Sequence, residues 1–94
     1  MIKKLKSTKE YLTQHIMVCV FLLSSRRRQY YLIQKNACMF WGLQNLAKKY
    51  ADDGDDCTSM LISSESYDYL GNFVMYCDAK GIDQIKRLKM YSPT

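Results

Sequence analysis

Four groups of residues in this 94-residue chain have the chemistry to act on a ligand or a partner. Cysteines stand at 19, 38, 57 and 77, with a single histidine at 15. A thiolate is a nucleophile or a soft metal ligand, and an imidazole is a common base or co-ligand beside it. The run "DDGDD" (52–56) gathers four carboxylates, which suit Mg²⁺ or Ca²⁺. "SSRRRQYYLIQK" (24–35) places Arg26, Arg27 and Arg28 just before Tyr30 and Tyr31. Guanidinium forks grip phosphates and carboxylates bidentately, and phenol rings stack on unpaired bases.

Spacing removes most of the catalytic options. No cysteine pair has the close spacing of a zinc site, and the stretches between the cysteines do not repeat. Cys38 follows Asn36, read as a helix N-cap, by two residues. That is the right electrostatic place for a lowered thiol pKa, although a small packing cysteine is the ordinary role there. His15 sits at the edge of an apolar run and reads as structural. The acidic run lacks the alternating carboxylates and distant Glu of an EF-hand, so it reads as a solvated loop. Gly42, Gly54, Gly71 and Gly81 are too scattered to cradle a phosphate. The expectation is a non-enzymatic protein with no metal and no cofactor, in which Cys38 is the one distant candidate for a nucleophile.

The arginine run keeps three readings: a nucleic-acid grip, a grip on an acidic protein surface, and a plain solvated turn. Lys35 extends the cluster, as would Lys3, Lys4, Lys6 and Lys9. The net charge of +5 is also unevenly placed. Residues 1–51 hold ten Lys/Arg and only Glu10, whereas residues 52–94 hold four Lys/Arg and eight Asp/Glu. A basic half attracts phosphate or an acidic face. No RNP-type, KH or zinc-finger signature accompanies it.

"MIKKLK" is basic and "IMVCVFLL" (16–23) is apolar, but Glu10, Gln14 and His15 intervene and Arg26–Arg28 follow. That is a poor signal peptide. Eight apolar residues are too few to span a bilayer. A cytoplasmic protein with reduced thiols and no membrane partner is expected.

The elements that must position these groups are less plain. One small domain is expected over 1–94, with residues 1–9 as a basic, flexible arm. Ser7 or Thr8 can cap a short helix over 8–15. The runs 16–23 and 30–34 read as strands joined by the arginine turn, and 58–63 as a third strand. Asn36 opens a helix whose apolar stripe is Met39, Phe40, Leu43, Leu46, Ala47 and Tyr50. Ser64 or Ser66 opens a second helix with the stripe Tyr67, Leu70, Phe73, Val74 and Cys77. Gly81 reads as its C′ residue, with Ile82 packing back. The stretch 82–92 is ambiguous: Ile82, Ile85 and Leu88 suggest a helix, Leu88 and Met90 alternate as in a strand, and a strand is preferred after the Gly81 cap.

The predicted fold class is therefore α+β. About four strands in the order β-β-α-β-α-β form a mainly antiparallel sheet, with two helices on one face. The alternative is an all-α domain with long helices over 8–23 and 26–51. Arginines at a helix start oppose its dipole, which counts against that alternative.

The two predicted helix stripes leave aromatic residues over. Trp41 falls opposite the first stripe, in a row with Lys48. Tyr69 and Tyr76 fall off the second, in a row with Lys80. Outward aromatics are what a protein-docking surface needs. Trp41, Lys48, Tyr69, Tyr76 and Lys80 are thus the candidate partner-binding residues. Arg26, Arg27, Arg28, Tyr30 and Lys35 are the candidates for an acidic surface or a nucleic acid. The expected function is a small interaction protein that docks on, and inhibits or modulates, a host or partner protein with an acidic surface. That partner could belong to a nucleic-acid-handling complex. A module for RNA or single-stranded DNA is the alternative, and a homodimer would also bury outward aromatics. The Lys, Ile, Tyr, Met and Phe usage is that of an AT-rich genome, and small non-catalytic chains of this kind are common in phage and mobile elements.

Overall fold

The computed structural model describes residues 8–93. Four helices follow one another: α1 Thr8–Leu23, α2 Arg26–Asp52, α3 Asp56–Lys80 and α4 Gln84–Met90. No strand occurs among the described residues, so the expected α+β sheet is wrong. The all-helical alternative, with long helices over 8–23 and 26–51, is the architecture found. Thr8 and Lys9 of the expected N-terminal arm lie in α1. The rest of that arm is outside the described residues.

Turns explain the error. A chain of six short elements needs a reversal after each one, and Gly and Pro are the usual material. Here no Gly or Pro occurs before Gly42. Among the described residues only Gly54 (φ 85°) and Gly81 (φ 67°) take positive φ. Both sit where a helix ends. Apolar runs without such punctuation, 16–23, 30–34 and 58–63, simply continue as helix.

Local chemistry sets the ends. Ser25 is extended and its hydroxyl accepts the Arg28 N–H at 3.2 Å, capping α2. Such a cap stabilises by about 1 kcal/mol, comparable with the roughly 0.3–1 kcal/mol that each cation loses against the dipole. The arginines therefore do not forbid the helix. Asn36, expected as the cap, lies well inside it. Asp55, not Ser64 or Ser66, caps α3 by accepting the Thr58 N–H at 3.1 Å. Gly81 ends α3 as expected: Ile82 N–H donates to the Cys77 carbonyl at 2.9 Å, and Ile82 packs on the core. The stretch after it is not a strand but α4, capped by Asp83.

α2 and α3 form a long antiparallel hairpin. Ser59 Oγ donates to the Ala47 carbonyl at 2.6 Å, Gln44 Nε2 to Ser66 Oγ at 2.7 Å, and Asn72 Nδ2 to Asn36 Oδ1 at 3.4 Å. These pairings fix the register and place Lys80 level with Arg28. The seam on α2 runs through Ile33, Ala37, Phe40, Gln44 and Ala47, and on α3 through Ser59, Ser63, Ser66, Leu70, Phe73 and Cys77. Both follow the four-three spacing of knobs-into-holes packing. The buried line on α2 is turned about 100°, one residue, from the stripe expected from apolarity. Met39, Leu46 and Tyr50 are left partly exposed, while Phe40 and Ala47 are buried.

The compact core lies at the end away from the acidic turn. Phe21 of α1 stacks on Tyr76 of α3, with centroids 4.4 Å apart and planes 12° apart. Ile33, Ala37, Phe73 and Cys77 complete it. Gln29 Nε2 reaches the Phe21 and Leu22 carbonyls at 3.1 and 3.3 Å, satisfying the open end of α1. α4 lies against α2, where Trp41 Nε1 donates to the Leu88 carbonyl at 3.0 Å.

Candidate functional site

The helix starting at Arg26 makes the arginine run a surface cluster rather than a hairpin tip. Arg26, Arg27 and Arg28 are all exposed, and no acidic residue lies in the first turn of α2. At helical spacing Arg27, Tyr31 and Lys35 form one row, at i, i+4 and i+8. Tyr31 and Lys35 are exposed. Arg26 and Tyr30 form the neighbouring row. On a strand over 30–34 these two tyrosines would point to opposite faces, whereas on α2 they are neighbours.

α4 adds cations that the sequence reading left out. The Arg87 guanidinium sits over the Tyr30 ring, 5.7 Å from its centroid. A cation over a ring face is attracted by its quadrupole. Lys86 and Lys89 flank Arg87 and are exposed, and the hairpin register brings Lys80 to the same end. The acidic groups nearest in sequence are committed: Asp83 accepts the Lys86 N–H at 3.1 Å as the α4 cap, and Asp78 accepts from Gln84 Nε2. This cationic end gathers Arg26, Arg27, Arg28, Lys35, Lys80, Lys86, Arg87 and Lys89 against Asp78 and Asp83. The opposite end holds Asp52, Asp53, Asp55 and Asp56, with Lys48 and Lys49 just before them. α2 alone, at 27 residues, separates the two by about 40 Å.

The expected aromatic docking patch does not assemble. Tyr76 is 6 % exposed and belongs to the core, and its burial pushes its phenol pKa up. Trp41 is half-buried under α4, its edge against Phe40 at 5.1 Å. Tyr69 is half-buried. Lys48 and Lys80 are exposed but stand at opposite ends of the hairpin. Trp41 was read as outward because the core line on α2 was misplaced by one residue. Its indole instead serves as the donor that closes the end of α4.

The other chemical groups are placed as follows. His15 and Cys19 are both exposed on α1, with Sγ and Nε2 3.6 Å apart. Cys38 lies mid-helix on the surface, not at a helix N-terminus, so the reason for suspecting a reactive thiol is gone. Cys57 is exposed near the start of α3. Cys77 is buried, and desolvation pushes its thiol up to about 11. It is protonated and inert in the fold. No group of three or more metal-ligating side chains converges among the described residues. In the acidic turn Asp55 is held below the ordinary carboxylate range by hydrogen bonds from Thr58. A groove of about 830 Å³ opens between the first half of α1 and α3. Its walls mix Lys9 and Glu10 with Tyr67, Asp68, Met75 and Asp78.

Among the described residues no helix is long and apolar enough to cross a membrane. Comparison of the chain with family models, with curated proteins and with solved structures found no match.

Proposed function

We propose that this chain is a small non-enzymatic interaction protein that docks its cationic end on an acidic surface of a partner protein and modulates or inhibits it. The observation that carries the reading is the position of Arg26–Arg28. Three exposed cations stand in the first turn of a helix, where its dipole disfavours them. Sequences keep such local conflicts mainly where function needs them. Around this cluster, exposed Tyr31 and the Tyr30–Arg87 pair supply the ring and guanidinium surface common at protein hot spots. Lys35, Lys80, Lys86 and Lys89 supply steering charge. Trp41, Tyr69 and Tyr76 have no part in this surface.

The test exploits the same conflict. The variant R26E/R27E/R28E replaces cations by anions at a helix N-terminus. It is expected to fold and to gain about 1–3 kcal/mol of stability, from roughly 0.3–1 kcal/mol per site. Partner capture, assayed with tagged chain in nuclease-treated lysate, is expected to be lost. A stabilised variant that still captures the same protein would sink the proposal, because unfolding could not explain the result away.

The row Arg27, Tyr31 and Lys35 favours a second reading, in which the cationic end grips RNA or single-stranded DNA. That reading requires affinity to fall steeply with salt, by roughly 0.7 logarithmic units per phosphate neutralised for each decade of salt. A gel-shift titration of single-stranded RNA with no salt slope excludes it. Capture that survives nuclease favours the protein partner.

A further inference from the structure

α1 is apolar on two sides. Phe21 and Met17 face the core. Leu12, Ile16, Cys19 and Leu23 recur at spacings of four, three and four residues. At 100° per residue they fall within about 60° of one another and about 180° from Phe21. Leu12, Ile16 and Leu23 are 57, 59 and 88 % exposed, Val20 beside them is 55 % exposed, and Cys19 is exposed too. The spacing is that of a coiled-coil seam, and no described residue covers it.

We propose that a second copy of this chain covers this face, with the two α1 helices antiparallel about a twofold axis. The axis passes between Met17 and Val18. It sets Leu12 against Leu23 of the other copy, and Ile16 against Cys19 of the other copy. This dimer uses a different face from the cationic end and does not depend on the function proposed for that end.

Area supports a second copy. At their exposures Leu12, Ile16, Val20 and Leu23, with Tyr11 and Leu22 on the flanks, present roughly 700 Å² per chain. A symmetric pair therefore has at most roughly 1,400 Å² to bury, which reaches the range of about 1,200–2,000 Å² for stable interfaces when the flanking Tyr11 and Leu22 are covered as well as the seam.

Charge selects the occupant and the direction. A twofold interface must be complementary to itself, which a neutral apolar face satisfies and a face charged with one sign does not. From Tyr11 to Leu23 the helix carries no Asp, Glu, Lys or Arg. Parallel pairing would bring both Arg26–Arg28 clusters together just beyond Leu23. Antiparallel pairing sends them to opposite ends, where like charges no longer oppose association.

Sedimentation equilibrium of the full chain tests the dimer. The mass expected is twice 11.1 kDa. Ile16→Glu is expected to give a monomer with unchanged helical circular dichroism, since Ile16 faces away from the core. Unmodified chain provides a second measurement, in which Cys19 is shielded from maleimide in the dimer while Cys38 and Cys57 react. For direction, L12C and L23C are each placed in a C19S/C38S/C57S background. Antiparallel pairing gives disulfide-linked dimer only when the two variants are mixed. Monomeric mass for the unmodified chain with Cys19 as reactive as Cys38 overturns the proposal. So does a monomer that binds phosphatidylglycerol vesicles through α1. Cross-linking of L12C alone overturns the antiparallel arrangement.

Discussion

The two halves of the α2–α3 hairpin are made of different materials. Toward the cationic end the seam is Ile33, Ala37, Phe40, Phe73 and Cys77, and a third layer, α1, adds the Phe21–Tyr76 stack. Toward the acidic turn it is Gln44, Ala47, Ser59, Ser63 and Ser66, with no third layer among the described residues. Met60 and Leu61 there are 72 and 68 % exposed. One half is held by buried apolar area, the other by small side chains that let the helices approach and by hydrogen bonds that set register. Apolar burial stabilises by roughly 25 cal/mol per Å², whereas an ordinary hydrogen bond nets about 1 kcal/mol. Stability is thus concentrated at the end that carries Arg26–Arg28. Interaction surfaces keep their geometry best on rigid elements.

The largest effect that tests this contrast is at Phe73, which is fully buried. Phe73→Ala is expected to cost about 3–5 kcal/mol, a large fraction of the 5–15 kcal/mol typical of a whole domain. Leu61→Ala, in the same helix but on the surface of the other half, is expected to change stability by no more than about 0.5 kcal/mol. Urea melts followed by circular dichroism measure both. Equal losses would erase the distinction between the halves.

A smaller effect sharpens it. Gln44 Nε2 donates to both Ser63 Oγ and Ser66 Oγ across the seam. Gln44→Ala removes that donor and opens a gap, and is expected to destabilise by about 1–2 kcal/mol. Replacing both sides by apolar groups, in Q44L/S63A/S66A, is expected to be close to neutral, because no partner of the lost donor is stranded. A triple variant as unstable as the single one would show that the acidic half depends on its hydrogen bonds rather than on close packing.

The same contrast explains what the sequence made legible. The long helices over 8–23 and 26–51 were visible as an alternative, and so was the Gly81 stop, because helix length and a left-handed cap leave direct marks. The sheet was preferred because "IMVCVFLL" and "YYLIQ" are β-rich runs, and because the dipole penalty on three arginines was weighed without Ser25 as a cap. The α2 face was misread for a different reason. Its seam includes Gln44, with Ser59, Ser63 and Ser66 on the facing helix, and apolarity does not mark such residues as interior. Once the α2 core line moved by one residue, Trp41 ceased to be outward; Tyr76 is inward because Phe21 of α1 covers it. The arginine cluster stayed legible, since a run of cations is surface in either fold. A strand over 82–92 gives no reason to join Lys86, Arg87 and Lys89 to the arginine cluster, and only the helix α4 does so. The four-three-four spacing in α1 was in the sequence, but reading 16–23 as a fully buried strand hid it.

The smallest effect compares the two glycines that end helices. Gly54 and Gly81 both take positive φ, at 85° and 67°, and a Cβ at either would meet nothing within 4 Å. Alanine at each is therefore strained by backbone conformation alone, by about 1–2 kcal/mol. What differs is what each turn is attached to. Gly81 holds Ile82 on the core, so its strain can be relieved only by giving up packing that the whole fold uses. Gly54 joins the ends of α2 and α3, where the seam is weak and local opening relieves strain without reaching the core. Gly81→Ala should lower the global urea midpoint by the full amount. Gly54→Ala should lower it less and instead speed amide exchange around residues 50–60. The reverse pattern would mean that the acidic turn, and not the aromatic core, is where the hairpin is held.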